Sequence, residues 1–351
     1  MLQNIRIGKT GIGDSFPCFI VAELGVNHNQ DLDLAKKSIL KISESGADAV
    51  KIQTWKTENI ILENCRMVEY QQKNTGSEQT QYEMLKNLEL PYEWHEELKT
   101  YAEGLGLVFF STMEDQESVD FLLKECKISL IKVGSGDLTN YPLIRYTAKF
   151  GVPMILSTGM CSLEEIGQAL EIIKEEKNNS VVLLQCTTGY PVDYDEINLS
   201  AMVSMREKFG RIIGFSDHSL GDECAIAAVA LGAKYIEKHF TLDKTLPGPD
   251  HKASLEPHEL GKMIRAIRNV ERALGNGIKK PASSELKIRS SICRRIVASK
   301  DIRKDELIDE ENVNFKRSMH GIEAREFYSI KGKKVRQKID CNKPIEREYL
   351  D

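Results

Sequence analysis

The sequence lacks the features that mark membrane, secreted and disulfide-bonded proteins. No apolar run approaches the roughly 20 residues that cross a bilayer, and the first nine residues, MLQNIRIGK, hold no apolar stretch typical of a signal peptide. The eight cysteines are scattered without a Cys-x-x-Cys pair, which indicates reduced thiols and neither a disulfide framework nor a zinc site. We therefore expect a cytoplasmic protein without a membrane partner.

An overall excess of basic residues is also missing. The chain of 351 residues carries a net charge of −5 at pH 7, so we expect no nucleic-acid partner. The charge is unevenly spread, because residues 279–351 hold 19 Lys and Arg against 13 Asp and Glu, whereas residues 1–278 are net −11. A hydrophobic content of 41% is enough for the core of one large domain or of two.

From Pro17 onward, short apolar runs alternate with amphipathic helical patterns. The predicted strands are residues 18–22, 49–52, 107–110, 130–133, 154–156, 181–184, 212–215 and 235–236. Eight such units over about 260 residues predict an α/β fold, the (β/α)₈ TIM barrel. A doubly wound open sheet is the alternative, but no dinucleotide-binding fingerprint follows the first strand.

The composition changes after Gly277, where a polar stretch containing proline reads as a linker. We predict a barrel domain over residues 1–278, a linker over 279–291 and a small β-rich module over 292–351. The module has short strand-like runs at 296–298, 313–315 and Val335.

The second strand–helix connection, residues 54–91, is unusually long and polar, so it either shapes an active site or is a disordered surface excursion.

Polar side chains follow the predicted strands where each one stops. Strand C-termini of a barrel share one rim, so His218 and His239, after the last two strands, can bind a divalent metal together. Lys51 and Lys132, with nearby hydroxyls, suit an anionic and phosphorylated ligand. Glu23 is a candidate general base. Further rim residues are the hydroxyls of Thr112, Ser135, Ser157, Thr188 and Ser216, and the potential sugar ligands Gln53, Asp137, Tyr190 and Asp250.

A series of motifs then occurs in a fixed order along the chain. They are AELGVNHN (22–29), VKIQT (50–54), EYQ (69–71), TQYEMLKNLEL (80–90), FST (110–112), IKVGSGDLTNYP (131–142), ILSTGM (155–160), GFSDHS (214–219), IEKHFTLDK (236–244) and GPDHKASLEP (248–257). In these motifs the chain resembles the nonulosonic acid synthases, which include the sialic acid and legionaminic acid synthases, over essentially its full length. The stretches at 296–307 and 316–322 resemble the antifreeze-like (SAF, β-clip) domain of those enzymes.

The resemblance implies a transferase that condenses phosphoenolpyruvate with an N-acylated mannosamine-type sugar. The expected product is N-acetylneuraminate, formed from N-acetylmannosamine with C–O cleavage and release of phosphate. The alternative is N,N'-diacetyllegionaminate, formed from 2,4-diacetamido-2,4,6-trideoxymannose. In related enzymes the counterpart of Arg317 comes from the partner subunit, so we expect a domain-swapped homodimer.

The resemblance also implies a role for each matching residue. His218 and His239 would bind Mn²⁺ or Mg²⁺, and Glu23 would handle the proton of the attacking water. Phosphoenolpyruvate would be held by Lys51, Thr112, Lys132, Ser135, Ser157 and Ser216. The sugar would be held by Gln53, Asp137, Tyr190, Asp250 and Arg317.

Four positions depart from the pattern of many relatives. Met113-Glu114 stands where they carry Pro-Phe, Asp137 where they carry Glu, and Thr188 where some carry Asn.

Two rival functions are a metal-dependent pyruvate aldolase, which would not need two lysines and a ring of hydroxyls, and a carbohydrate- or ice-binding protein. The second rival leaves both histidines and Glu23 without a role.

Overall fold

The computed structural model describes residues 4–76 and 79–351. Residues 1–3, at the start of the predicted barrel domain, and residues 77–78, inside the predicted long connection, lie outside the described residues. The chain divides into two compact units, Met1–Gly275 and Asn276–Asp351. Among the described residues, no helix combines the length and the apolar character needed to cross a membrane.

The first unit is a closed barrel of eight parallel strands, which confirms the predicted (β/α)₈ fold. An antiparallel hairpin of β1 (Ile5–Ile7) and β2 (Thr10–Ile12) precedes it, and its isoleucines join the barrel core. The barrel strands are β3 (Phe19–Gly25), β4 (Ala49–Thr54), β5 (Val108–Met113), β6 (Ile131–Val133), β7 (Met154–Ser157), β8 (Val181–Cys186), β9 (Ile212–Asp217) and β10 (Tyr235–His239). Each strand pairs with the next, and β10 closes the ring on β3.

Helices lie between consecutive strands and after β10, and most of them bury one face against the barrel. They are α1 (Leu32–Ser45), α2 (Thr57–Ile60), α3 (Glu69–Thr75), α4 (Gln81–Leu88), α5 (Tyr92–Gly104), α6 (Gln116–Asp120), α7 (Tyr141–Ala148), α8 (Leu163–Glu175), α9 (Tyr194–Ile197), α10 (Ser200–Phe209), α11 (Glu223–Ala230) and α12 (Pro257–Leu274). α1 shows why the bounds fall where they do. The Asp31 carboxylate accepts a hydrogen bond from the Leu34 amide at its start, and Gly46 ends it with a φ of 87°.

The strands run further toward their C-termini than the apolar runs predict. β9 continues through Ser216 and Asp217, and β10 continues through Glu237 to His239. Asp217 pairs with Lys238 and Gln53 pairs with Thr112, so the polar residues stay in the ladder. Their backbone groups are buried at the barrel rim and need hydrogen-bond partners, which the neighbouring strand supplies. Site residues such as Gln53, Ser216 and His239 therefore lie on strands, which hold their side chains in fixed directions.

The long connection between β4 and α5 is folded. It contains α2, α3 and α4, which enclose a small apolar cluster separate from the barrel core. The cluster consists of Val26, Trp55, Met67, Met84 and Leu88. The Trp55 indole also donates a hydrogen bond to the Thr57 hydroxyl at 3.1 Å. This connection therefore has its own packing, and it presents one face to the barrel mouth.

The second unit has a short antiparallel pair, β11 (Arg294–Ala298) and β12 (Val313–Arg317), around a core of its own. Its helices are α13 (Ser283–Ile292) and α14 (Phe327–Ile330). α13 occupies most of the segment that the composition predicts as a linker. Val335 forms an isolated bridge with Leu350, outside any strand. The antiparallel pairing is compatible with the predicted β-rich module.

Candidate active site

The C-terminal ends of the barrel strands surround a cavity of about 360 Å³, here called the mouth cavity. Of the fifteen predicted site residues, thirteen line it. They are Glu23, Lys51, Gln53, Thr112, Lys132, Ser135, Ser157, Thr188, Tyr190, Ser216, His218, His239 and Asp250. They come from all eight barrel strands or strand ends and from the loop after β10, so the barrel topology brings them together.

Two predicted residues lie elsewhere. Asp137 is half-buried in the short 3₁₀ helix Ser135–Asp137, where Asn140 donates to it at 3.4 Å, and it does not line the mouth cavity. The side chain of aspartate is one methylene shorter than the glutamate of relatives. Arg317 is the exposed last residue of β12 in the second unit.

A buried carboxylate, Glu237, organises the floor of the mouth cavity. It accepts hydrogen bonds from Lys132 at 2.7 Å, from Ser216 at 3.1 Å and from the Tyr235 hydroxyl at 2.8 Å. Lys51 lies 3.7 Å from the same carboxylate. Burial alone would raise the pKa of Glu237, but the ammonium groups of Lys132 and Lys51 outweigh it and hold that pKa well below its usual range.

Glu23 forms the second carboxylate of the floor. Lys51 pairs with it at 2.7 Å, and the Gln53 amide donates to it at 2.9 Å. Burial raises the pKa of Glu23 to about 7, although Lys51 opposes the change. The Lys51 ammonium also donates to the Thr112 hydroxyl at 2.7 Å. A carboxyl group with a pKa near neutrality is suited to accepting and returning a proton.

The two histidines stand side by side with Tyr190. The ring centroids of His218 and His239 are 5.3 Å apart, and the Tyr190 ring lies 4.1 Å from that of His218. His218 Nδ1 donates to the Thr187 carbonyl at 2.9 Å, so the neutral form of the ring carries its lone pair on Nε2. Burial lowers the pKa of His218, but the neighbouring Cys186 outweighs burial and raises that pKa above its usual value. Burial and the neighbouring His218 hold the pKa of His239 well below its usual value, so this ring is neutral.

Several residues of the site were not predicted from the sequence. Those that line the mouth cavity are Val26, Tyr70, Gln71, Gln81, Met84, Leu85, Leu88, Glu114, Gly134, Gly136, Met160, Cys186, Glu237 and Pro249. For the six that come from α3 and α4, the signals in the sequence are the length of the second connection and the motifs at 69–71 and 80–90. Glu237 follows the last apolar residue of β10 and alternates with His239 on the same side of the strand, so strand periodicity could have identified it.

A buried ion pair fixes the strand ends that carry the histidines. Lys238 and Asp217, on adjacent strands, approach to 2.9 Å with both side chains 0% exposed, and Lys238 also donates to the Ser219 carbonyl at 2.6 Å. Replacing Lys238 by Met should lower the free energy of unfolding by about 3–5 kcal/mol, because an uncompensated buried carboxylate remains.

Urea unfolding followed by tryptophan fluorescence measures this effect, since both tryptophans, Trp55 and Trp94, lie in the first unit. Lys262→Met is the matched control, because that side chain is 71% exposed and pairs only at the surface with Asp222. A loss below about 1 kcal/mol for Lys238→Met would show that the buried pair is not needed.

The fold and the mouth cavity define a barrel protein that brings two buried lysines and two imidazoles together in one cavity. The sequence profile of the NeuB family matches residues 38–279. The chain therefore belongs to the NeuB family, the nonulosonic acid synthases, and is a synthase of the transferase type.

Relatives with known names cover nearly the whole chain. The N,N'-diacetyllegionaminic acid synthase of Campylobacter jejuni is 45% identical over 316 residues, which span 90% of this chain and 94% of that protein. The enzyme of the same name from Legionella pneumophila is 42% identical over 343 residues, 97% of this chain and 96% of that protein. The crystal structure of N-acetylneuraminic acid synthetase from Leptospira borgpetersenii matches with a TM-score of 0.73 and 34% identity, over 83% of this chain and 98% of that one.

Proposed function

We propose that the enzyme condenses phosphoenolpyruvate with an open-chain 2-acetamido sugar of the mannosamine type, with water as the third reactant and phosphate as the leaving group. The observation that carries the proposal is the floor of the mouth cavity. Lys51 and Lys132 are both buried there, beside a ring of hydroxyl groups. Two buried ammonium groups and several hydroxyl donors match a substrate that carries a phosphate and a carboxylate.

The reaction can be written with the residues in place. The enol carbon of phosphoenolpyruvate attacks the sugar aldehyde, which leaves positive character on the carbon that bears the phosphate. Water adds to that carbon and transfers a proton to Glu23, and the alkoxide formed from the aldehyde takes up one proton to become a hydroxyl. The resulting hemiketal phosphate then loses phosphate by C–O cleavage, and the carbonyl oxygen of the product comes from water. Lys51 and Lys132 stabilise the negative charge of phosphate and carboxylate throughout.

The imidazole pair fits a divalent cation, Mn²⁺ or Mg²⁺. His218 has its lone pair on Nε2, and His239 is neutral with a buried Nδ1 that has no hydrogen-bond partner among the described residues. No group of three or more potential ligands occurs in the described part of the chain, so the two histidines would leave the other positions to water and substrate oxygens. When bound there, such a cation would polarise the sugar aldehyde.

Two acceptor sugars agree with the relatives. N-acetylmannosamine would give N-acetylneuraminate, and the similarity to the Leptospira borgpetersenii N-acetylneuraminic acid synthetase supports it. A 2,4-diacetamido-2,4,6-trideoxy sugar would give N,N'-diacetyllegionaminate, and the two relatives of that name support it. Both sugars present the same aldehyde and the same neighbouring acetamido group, so the floor of the mouth cavity serves either one.

Phosphate release tests the reaction. The purified protein is incubated with phosphoenolpyruvate, Mn²⁺ and each acceptor sugar in ¹⁸O-labelled water, and the products are identified by mass. We expect free phosphate without label and a nine-carbon 2-keto acid that carries one ¹⁸O atom. Label in the phosphate would contradict C–O cleavage, and condensation with pyruvate in place of phosphoenolpyruvate would favour an aldolase.

Lys132→Met should raise KM for phosphoenolpyruvate by about 10–100-fold and change KM for the sugar less than threefold, because one charge-assisted hydrogen bond is worth about 1.5–3 kcal/mol. Steady-state kinetics with each substrate varied in turn measures both constants. Lys174→Met is the control, since Lys174 is exposed on α8. Equal changes in the two KM values would show that Lys132 does not serve phosphoenolpyruvate.

We further propose that the second unit is an antifreeze-like domain that completes the active site of a partner chain in a homodimer. The support is the charge asymmetry of the sequence, net +6 in residues 279–351 against −11 in the remainder, which favours docking of the second unit on another barrel. Arg317 is exposed and carries no hydrogen bond or ion pair within the described residues, so its guanidinium is available for a substrate.

Mixing two inactive variants tests this arrangement. Arg317→Ala and His218→Ala should regain part of the wild-type activity after subunit exchange, because one of the two sites in a mixed dimer would then hold neither defect. Native mass spectrometry establishes that the exchange has occurred, and two preparations of His218→Ala mixed together serve as the control. Exchange without recovery would mean that Arg317 acts on its own barrel or not at all.

A further inference from the structure

The lining of the mouth cavity has two parts of different chemistry. The floor holds the lysines, the carboxylates and the hydroxyls described above. The remaining part includes an apolar wall, defined as Val26, Met84, Leu85 and Leu88, most of which comes from α4. Met84 and Leu88 are anchored in the small apolar cluster, and Leu85 packs against that cluster while lining the cavity. The wall is therefore held in place by packing that is independent of any ligand.

One carboxyl group in the cavity has no structural role. Glu114 follows the last residue of β5, is half-buried and lines the mouth cavity. No hydrogen bond or ion pair reaches it from any residue that the structure describes. The adjacent Asp115, by contrast, caps α6 through Ser118 and accepts from the Lys56 amide. The Glu114 carboxyl group is therefore free to bond to a ligand in the mouth cavity.

The electrostatics of Glu114 agree with a ligand that carries an amide. Burial raises the pKa of Glu114 to about 8, and Asp137 adds to the increase. At neutral pH the carboxyl group is mostly protonated, so it can donate a hydrogen bond to a carbonyl oxygen or accept one from an N–H group. A secondary amide offers both groups.

We infer that Glu114 and the apolar wall select the acceptor sugar, and that they favour a 2,4-diacetamido-2,4,6-trideoxy sugar over N-acetylmannosamine. The inference rests on the proposed function. The aldehyde carbon must lie at the floor, near the imidazoles and phosphoenolpyruvate, so the far end of the sugar meets the rest of the lining. There a C6 methyl group packs on the apolar wall, and the C4 acetamido group bonds to Glu114.

N-acetylmannosamine fits the same surface less well. Its C6 hydroxyl would be buried against apolar side chains without a partner, and its C4 hydroxyl offers no acyl group to the wall. An apolar surface discriminates against one added hydroxyl by roughly a hundredfold at most. We therefore expect the wild-type enzyme to show a kcat/KM about 10–100-fold higher for the diacetamido sugar.

Kinetics with both sugars on a small set of variants test the inference. Leu85→Asn and Glu114→Ala should each lower kcat/KM for the diacetamido sugar about tenfold and that for N-acetylmannosamine less than threefold, while KM for phosphoenolpyruvate stays constant. Glu114→Gln should recover most of the loss, because its amide also donates and accepts. Leu62→Asn and Glu117→Gln are matched controls, since both side chains are exposed and outside the mouth cavity.

The outcomes separate this inference from the proposed function. A wild-type preference for N-acetylmannosamine would overturn the inference and leave the proposed reaction standing. Equal losses for both sugars in Leu85→Asn and Glu114→Ala would also overturn it. Phosphate release with neither sugar would overturn the proposed function itself. The wild-type comparison needs no variant, so it decides the preference even where a substitution prevents folding.

Discussion

Glu23→Gln is expected to lower kcat by about 10²–10⁴-fold, the usual cost of losing one positioned proton transfer. Of the carboxylates Glu23 and Glu237, Glu23 has the pKa near neutrality, whereas Glu237 is held ionised by Lys132 and Lys51. The glutamine keeps the size of the side chain and a hydrogen-bonding oxygen for Lys51, so the barrel should remain folded. Stopped-time phosphate assays at saturating concentrations of both substrates measure the change.

The pH profile gives the same prediction an independent readout. Burial raises the pKa of Glu23 to about 7, so the ionised form that accepts a proton is lost as pH falls through about 7. The wild-type kcat should therefore rise with pH across that value, and the residual activity of Glu23→Gln should not. Glu103→Gln, an exposed position on α5, is the control. Activity of Glu23→Gln within threefold of wild type would show that Glu23 only supports the structure.

His239→Ala is expected to abolish most activity, by about 10³-fold or more, because polarisation of a carbonyl by a bound cation is worth several kcal/mol. It should also remove one of the two nitrogen ligands of the proposed site. Binding of Mn²⁺ to the apo protein, measured by calorimetry or by electron paramagnetic resonance, is a readout that does not depend on turnover. We expect tight binding to be lost in the variant and phosphate release to stop in excess EDTA.

His258→Ala is the matched control for this experiment. Its imidazole is 78% exposed on α12, outside the mouth cavity, so it should neither change Mn²⁺ binding nor change activity. Full turnover in EDTA would contradict the metal assignment. Undiminished Mn²⁺ binding by His239→Ala would place the ion elsewhere.

The sequence predicts the barrel because its strands are short apolar runs that recur with regular spacing. The sequence-based prediction ends the strands too early, because polar residues at the barrel rim resemble the start of a loop although they are buried and still paired in the sheet. The four polar residues from Ser216 to Ser219 illustrate this, because the first two continue β9. In the structure their backbone is paired across the sheet, and pairing between distant segments cannot be seen in a local window.

Site residues could be predicted from the sequence where their residue type is unusual at the end of a barrel strand. Site residues of common types were harder to predict. Lysines and histidines at strand ends are distinctive, and the structure brings Lys51, Lys132, His218 and His239 into one cavity. Glu114 and Leu85 are common residue types whose role depends on what they face. The position of Leu85 follows from how α4 packs with Trp55 and Met67, which local sequence patterns do not determine.

The separate packing of the long connection has a consequence for how substrates enter. Helices α2 and α4 bury apolar side chains in the small cluster and not in the barrel core, so we expect the long connection to open as one cooperative segment while the barrel stays closed. Amide hydrogens in this segment should exchange with solvent faster than those of the barrel strands, and a bound sugar should slow that exchange. The rate of this local opening would then limit sugar entry and product release. The opening that admits the acceptor sugar would also expose the floor of the mouth cavity to water.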